Sequence, residues 1–239
     1  MGMGGQPGSP GRGTPVGRRV ILGLLGLGAV GVAVGKPLGD AASRITRSDP
    51  TGLTGLLPAT AGFRYYSVVA EDPVIPPSEY RLQVGGMVDR ARSWSFDELE
   101  ALPQTGLTRD FQCVTGWRVP DVPWSGVLLT EILNRSGVRP GGTAVAFDSY
   151  DGEYTESLSL EQARRPDMLV ATRMFGEPID NPHGGPVRLL VAPMYGYKSL
   201  KWLSGIRVTA AVEPGYWEQR GYDVDAWVGS SNGRRDEPV

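Results

Sequence analysis

Cys113 is the only cysteine among 239 residues, and it stands in the stretch DFQCVTGW. Three chemistries are open to it. It can be a small buried hydrophobe, the usual fate of a free cysteine. It can be a nucleophile, which wants a histidine base beside it. It can be a thiolate ligand to a soft transition metal. The only histidine, His183, opens a second motif, HGGPVRLLVAPMYGYKSLKWL over 183–203. There His183, Arg188, Lys198, Ser199 and Lys201 are grouped around glycine-rich turns. Arginine offers phosphate a planar bidentate fork and lysine a point charge. Gly184, Gly185 and Gly196 would let backbone amides approach an anion closely. A solvated basic sheet edge has the same composition. The third constellation is DSYDGEYTESL, 148–158, where Tyr154 follows an Asp-Gly turn and opens a strand. Such a phenol either projects into a cleft or packs as an amphipathic residue.

Elimination narrows the choices. One cysteine forbids an internal disulfide, and one cysteine with one histidine falls short of a zinc or iron–sulfur ligand set. If a metal is bound, most of its ligands come from something other than the chain. A metal-free cysteine hydrolase is disfavoured, because nothing in the pattern sets His183 beside Cys113. Charge is uneven: residues 1–47 carry a net +5, and the remainder a net −7. An acidic body does not suit nucleic acid, whose binding rests on phosphate neutralisation. There is no G-x-G-x-x-G after a strand and no Walker loop, so nucleotide binding has no support.

The elements that must position these residues alternate irregularly. YRLQVGGMV (80–88) has strand alternation ending in a glycine turn. SFDELEALP (95–103) predicts a helix, with Ser95 and Glu98 as a capping box and Pro103 as the stop. SGVLLTEILNRSG (125–137) predicts a second helix, capped by Ser125 and closed by Gly137. Strands are expected at 143–149, 154–160, 168–174, 186–193 and 205–212, with a short helix LEQARR after the second. Cys113 is expected between a strand and a helix. This is the pattern of an α+β domain rather than a doubly wound sheet. Folded structure is expected over 61–230, after a Gly/Pro/Thr/Ser-rich linker at 36–60 and before a tail at 231–239.

The first 35 residues read differently. Arg18-Arg19 precede the uncharged run Val20–Gly35, sixteen residues long. Paired arginines before a glycine-rich apolar stretch have the form of a twin-arginine export signal. The run is shorter than the roughly twenty residues of a spanning helix, and no clear A-x-A site follows it. A membrane anchor is the alternative, and the expected location is periplasmic or otherwise extracytoplasmic.

Together the three constellations resemble the molybdenum-cofactor domain of the sulfite oxidase family, in that family's order and over roughly residues 60–222. The resemblance implies a mixed-sheet molybdopterin-binding fold and the roles that follow. Cys113 in DFQCVTGW matches the cysteine that ligates molybdenum. Tyr154 in EYTESLSL matches the active-site tyrosine, placed to hydrogen-bond the substrate oxygen or an oxo group of the metal. His183 and Arg188 match residues on the pterin and its phosphate, and Ser199 and Lys201 in SLKWL fall on the same group. Ser149 falls where members carry a hydroxyl near the cofactor. Tyr65 and Tyr66 are expected as aromatic walls. PGYWEQRGYD (214–223) resembles the closing segment of single-domain bacterial members.

Molybdopterin brings its own dithiolene sulfurs, which suits a chain with one thiolate to offer. The implied activity is two-electron oxygen-atom transfer by a monomeric catalytic unit. Electrons would pass to or from an external carrier, such as a membrane cytochrome or quinone-linked subunit. One departure bears on substrate. The arginine that helps sulfite oxidases hold sulfite is replaced, in FRYYSV, by Tyr66 or Ser67, with Arg64 out of register. Reduction of a sulfoxide or N-oxide is therefore expected ahead of sulfite oxidation. A binding module that kept the fold without turnover is the competing class.

Overall fold

The computed structural model describes residues 63–229. The expected export signal, the linker at 36–60 and the tail at 231–239 lie outside the described residues. Among the described residues no helix is long and apolar enough to cross a membrane.

Among the described residues, ten strands form two five-stranded sheets. The first contains β1 (Arg81–Gly86), β2 (Arg92–Ser95), β5 (Ala144–Ser149), β6 (Thr155–Ser159) and β10 (Leu203–Thr209), in the order β2-β1-β10-β5-β6. Its one parallel pair is β1 with β10. The second contains β3 (Gln104–Gln112), β4 (Arg118–Leu128), β7 (Met168–Met174), β8 (Glu177–Pro178) and β9 (Arg188–Val191). Here β3 pairs β4, β4 pairs β7, and both β8 and β9 pair β7. The expected α+β, mixed-sheet class holds.

Alternation accounts for β1, whose residues 81–84 run exposed, buried, exposed, buried. Leu82 and Val84 join Val145, Phe147, Leu158, Ile206 and Val208 in the larger core. Strand β7 is central and almost wholly buried, so it reads as a nearly unbroken apolar run. Helix α1 (Phe96–Glu100) has the expected reciprocal capping box: Ser95 Oγ accepts from Glu98 N–H, and Glu98 accepts from Ser95 N–H at 2.8 Å.

Two expectations need correction. The helix after Ser125 begins later: residues up to Leu128 continue β4, and α2 spans Leu129–Ser136 without a side-chain cap. Ser125 is instead paired with Gly106 and Arg173 in the sheet. Only its closure by Gly137, at φ 71°, is as expected. Cys113 accordingly lies in the turn between two strands, β3 and β4, rather than before a helix. Pro120 and Pro123 obscured β4, since proline cannot donate to a ladder. The chain accommodates them with an irregularity between Arg109 and Phe111, where Asp121 takes φ 51° and its N–H donates to Asp110 Oδ1 at 2.9 Å. Helix α3 (Leu160–Ala163) carries a second capping box, Ser159 with Gln162.

Candidate active site

The three constellations meet in one cavity of about 230 Å³, whose wall includes Cys113, Tyr154, His183, Arg188, Ser199 and Lys201. These residues come from four separate places in the chain. The β3–β4 turn supplies Cys113, where Cys113 N–H donates to the Trp117 carbonyl at 2.9 Å and Gly116 N–H donates to the Cys113 carbonyl at 3.0 Å. The Thr115 hydroxyl lies 3.3 Å from Sγ. The thiol is half-buried, beside an aromatic cluster of Phe111, Trp117 and Trp124.

Arg188 opens β9 and is 3% exposed. Its terminal nitrogens donate to the His183 carbonyl at 2.6 Å and the Ser199 carbonyl at 2.7 Å. The guanidinium carbon lies 5.3 Å from the Phe111 ring centre and 5.5 Å from that of Trp124. Nε is buried without an acceptor. Burial pulls the guanidinium down to about 10. Lys201 is also drawn into the wall, with Nζ 3.9 Å from the Trp202 ring centre. Burial lowers its ammonium to about 8, with Asp72 and Asp151 opposing that shift and Arg188 adding to it. Neither cation has a carboxylate within ion-pair distance among the described residues. Two such charges in one wall are costly unless an anion joins them.

His183 ends a 3-10 turn, Asn181–His183, capped by Asp180. Asp180 Oδ1 reaches His183 Nδ1 at 2.5 Å, and the Tyr65 hydroxyl lies 3.0 Å from Nε2. Tyr66 stands in the same wall but is 50% exposed, so it forms rim rather than lining. Tyr154 is buried, and burial together with Glu156 and Glu218 holds its phenol well above the usual tyrosine range. Its hydroxyl donates to the Tyr197 carbonyl, so the expected hydrogen bond to a substrate oxygen or oxo group requires the proton to leave that carbonyl.

Three readings of the sequence are corrected by this geometry. Ser149 ends β5 outside the cavity wall, and its Oγ accepts from Asp151 N–H at 3.2 Å. It shapes the turn that delivers Asp151 and Tyr154. Lys198 faces away from the cavity, into a buried cluster with Glu156 and Glu218. The amides of Gly184 and Gly185 are spent internally, on the carbonyls of Asn181 and Asp180, both at 2.9 Å. Gly184 is required for close approach instead: at φ +95° a Cβ there would fall 2.6 Å from Lys201 Cβ.

Sequence reasoning missed Trp117, Asp151 and Asp180. Only Asp180 carried a usable signal, its cap spacing to His183. Asp151 Oδ1 accepts from Glu153 and Tyr154 N–H, while Oδ2 is buried without a donor.

A molybdopterin cofactor fits what the wall presents. The unpartnered Nε of Arg188 and the Lys201 ammonium suit its phosphate, and Asp151 Oδ2 can accept from a donor on the ligand. No cluster of three or more His, Cys, Asp or Glu side chains could hold a metal among the described residues. Cys113 is therefore suited to a metal whose remaining ligands arrive with the cofactor.

These features define a molybdenum-cofactor oxidoreductase domain. A family model described as the oxidoreductase molybdopterin binding domain matches residues 69–217, and the chain belongs to that family. It is 36% identical over 152 residues to the uncharacterized oxidoreductase YuiH of Bacillus subtilis, covering 63% of this chain and 76% of that one. It is 31% identical over 188 residues to the putative protein-methionine-sulfoxide reductase subunit YedZ1 of Azospira oryzae, covering 77% of this chain and 70% of the relative. In fold it matches the sulfane dehydrogenase SoxCD of Paracoccus pantotrophus, with a TM-score of 0.56 at 21% identity, over 60% of this chain and 41% of that one. The expected family, enzyme class and cofactor are borne out.

Proposed function

We propose that this chain is an exported oxidoreductase that reduces a neutral sulfoxide or N-oxide. The observation that carries the cofactor assignment is the pair of cations, buried Arg188 and half-buried Lys201, beside the single thiol Cys113 in one cavity. When bound, the molybdenum cofactor supplies two-electron oxygen-atom exchange, with net reaction oxide plus two protons and two electrons to give the reduced compound and water.

The chain's own residues bind and orient. Arg188, Lys201, Ser199 and His183 hold the pterin end. His183 is set by Asp180 and Tyr65, and Arg188 by two backbone carbonyls. Cys113 offers a thiolate to the metal. Tyr154 lines the cavity, and its hydroxyl would bond the substrate oxygen on leaving the Tyr197 carbonyl. Aromatic side chains (Tyr65, Trp117, Trp217 and Tyr222) exclude water from the remaining space. Neutral oxides lose less hydration than a dianion on entering such a space. The name of the relative YedZ1 supports the same substrate class. Electrons would come from an external carrier, such as a membrane cytochrome or quinone-linked subunit, and the Arg18-Arg19 motif supports export.

One observation favours sulfite oxidation as the second reading. Arg64, though out of register in sequence, stands in the cavity wall. Arg118, by contrast, is bonded to Asp110 and lies outside the wall. The test is metal and pterin analysis of the purified full chain, followed by dye-coupled turnover of sulfoxides, N-oxides and sulfite. Greater turnover of a neutral oxide is expected. Sulfite oxidation without oxide reduction would favour the Arg64 reading, and no redox turnover would favour a binding module.

A further inference from the structure

Three charged side chains lie together in the interior, and none of them lines the cavity. Lys198 Nζ is 2.6 Å from Glu156 Oε2 and is also bonded to Glu218. Their side chains are 1%, 0% and 2% exposed. Two carboxylates against one ammonium leave a negative charge unbalanced, which the interior tolerates poorly. Glu156 Oε1 and Glu218 Oε2 are both buried without a donor. A proton held between the carboxyls answers both defects.

The cluster joins three parts of the chain. Glu156 lies in β6, Lys198 in the turn after β9, and Glu218 in the closing segment 213–223. That segment is pinned to β6 by Ser157 Oγ donating to the Glu213 carbonyl at 2.5 Å and Tyr216 N–H donating to the Thr155 carbonyl at 3.0 Å. Gly215 permits the fit, since a Cβ there would fall 2.5 Å from the Thr155 carbonyl oxygen and 2.7 Å from Glu218 Oε2. Trp217 and Tyr222 of the same segment stand in the cavity wall.

We propose that Glu156 and Glu218 share one proton against Lys198, and that this buried latch positions the closing segment, with Trp217 and Tyr222, as a wall of the cofactor cavity. Calling the cavity the cofactor's rests on the function proposed above; the latch itself does not. Lys198 and Glu218 are the charged groups acting on Glu156, and the Tyr154 phenol feels both carboxylates. From β5, the residue opposite Glu156 is the uncharged Phe147. Burial, with Glu218 adding and Lys198 opposing, holds the Glu156 carboxyl well above the usual carboxylate range. A group raised in the folded state stabilises fully below its unfolded value, and that contribution is lost as pH rises through the folded value. The segment therefore loosens toward alkaline pH.

The test is hydrogen exchange on the full chain between about pH 5 and about pH 9, corrected for intrinsic rates, with molybdenum content measured in parallel. Opening that releases one proton should lower protection over 213–223 by up to about tenfold per pH unit. Glu156→Gln carries no titrating proton and should flatten that slope; Glu218→Gln serves if the first variant does not fold. A wild-type slope of zero, or a slope unchanged in the folded variant, overturns the latch. A pH-dependent segment in a protein that binds no molybdenum would keep the latch and sink the cofactor reading. Bound molybdenum with no slope would do the reverse.

Discussion

The Tyr65 hydroxyl lies 3.0 Å from His183 Nε2, across 118 residues of sequence. Asp180 Oδ1 anchors the imidazole at Nδ1, 2.5 Å away, while the Tyr65 hydroxyl, also 3.4 Å from Nδ1, packs beside the ring. An orienting partner of this kind fixes the ring before any ligand arrives. Asp180→Ala removes that partner and the cap of the 3-10 turn together. The expected cost is about 1 kcal/mol of stability, read as a lowered melting temperature. Reduced pterin content should accompany it.

Arg188 is bonded to two backbone carbonyls and keeps Nε over for a ligand. Alanine would leave both carbonyls without their donor, at about 1–3 kcal/mol each, and would remove the fork. Arg188→Lys can restore one contact but not the planar pair. Pterin content should therefore fall in the order wild type, lysine, alanine. Full pterin content in a folded alanine variant would remove Arg188 from the site.

Lys201 gives two pH effects of opposite sign. Its ammonium is lowered to about 8, chiefly by burial, so the folded chain loses that proton first as pH rises. Phosphate retention should weaken above that value, by up to about tenfold per pH unit. The unloaded protein should gain stability over the window from about 8 to the ordinary lysine range, because there the unfolded chain holds more protons. Lys201→Met should abolish both trends. Pterin content after dialysis and melting temperature at several pH values measure them separately.

Tyr154→Phe separates a structural from a chemical role. Its hydroxyl donates to the Tyr197 carbonyl, which the variant leaves unsatisfied, for about 1–3 kcal/mol of stability. If the phenol also donates to the substrate oxygen during reaction, kcat should fall while KM stays near its original value. A lowered melting temperature with unchanged kcat would assign the residue to the scaffold alone.

Cys113→Ser should leave the fold nearly intact, with a stability change under about 1 kcal/mol. The hairpin turn is held by the backbone of Cys113, while its thiol is half-buried. A hydroxyl is a harder ligand than a thiolate, so the metal spectrum should change and dye-driven turnover should be lost. An unchanged spectrum with full turnover would refute the ligand assignment.

What the sequence by itself determined was local. The capping box at Ser95, the apolar run of β7 and the alternation of β1 depend on neighbours within a few residues, so their signals survive without a fold. The ordered motifs around Cys113, Tyr154 and His183 were legible for the same reason, and so was the family. The tertiary structure decided how each charge is used. Lys198 and Lys201 stand three residues apart in one motif, yet one meets two buried carboxylates and the other a cavity. Ser149 and Ser199 look alike in sequence, but only Ser199 reaches the wall. β4 stayed hidden because prolines mask a strand whose pairing is supplied by distant partners. Desolvation and counter-charge arise only when separate segments pack together, and no spacing along a chain encodes them.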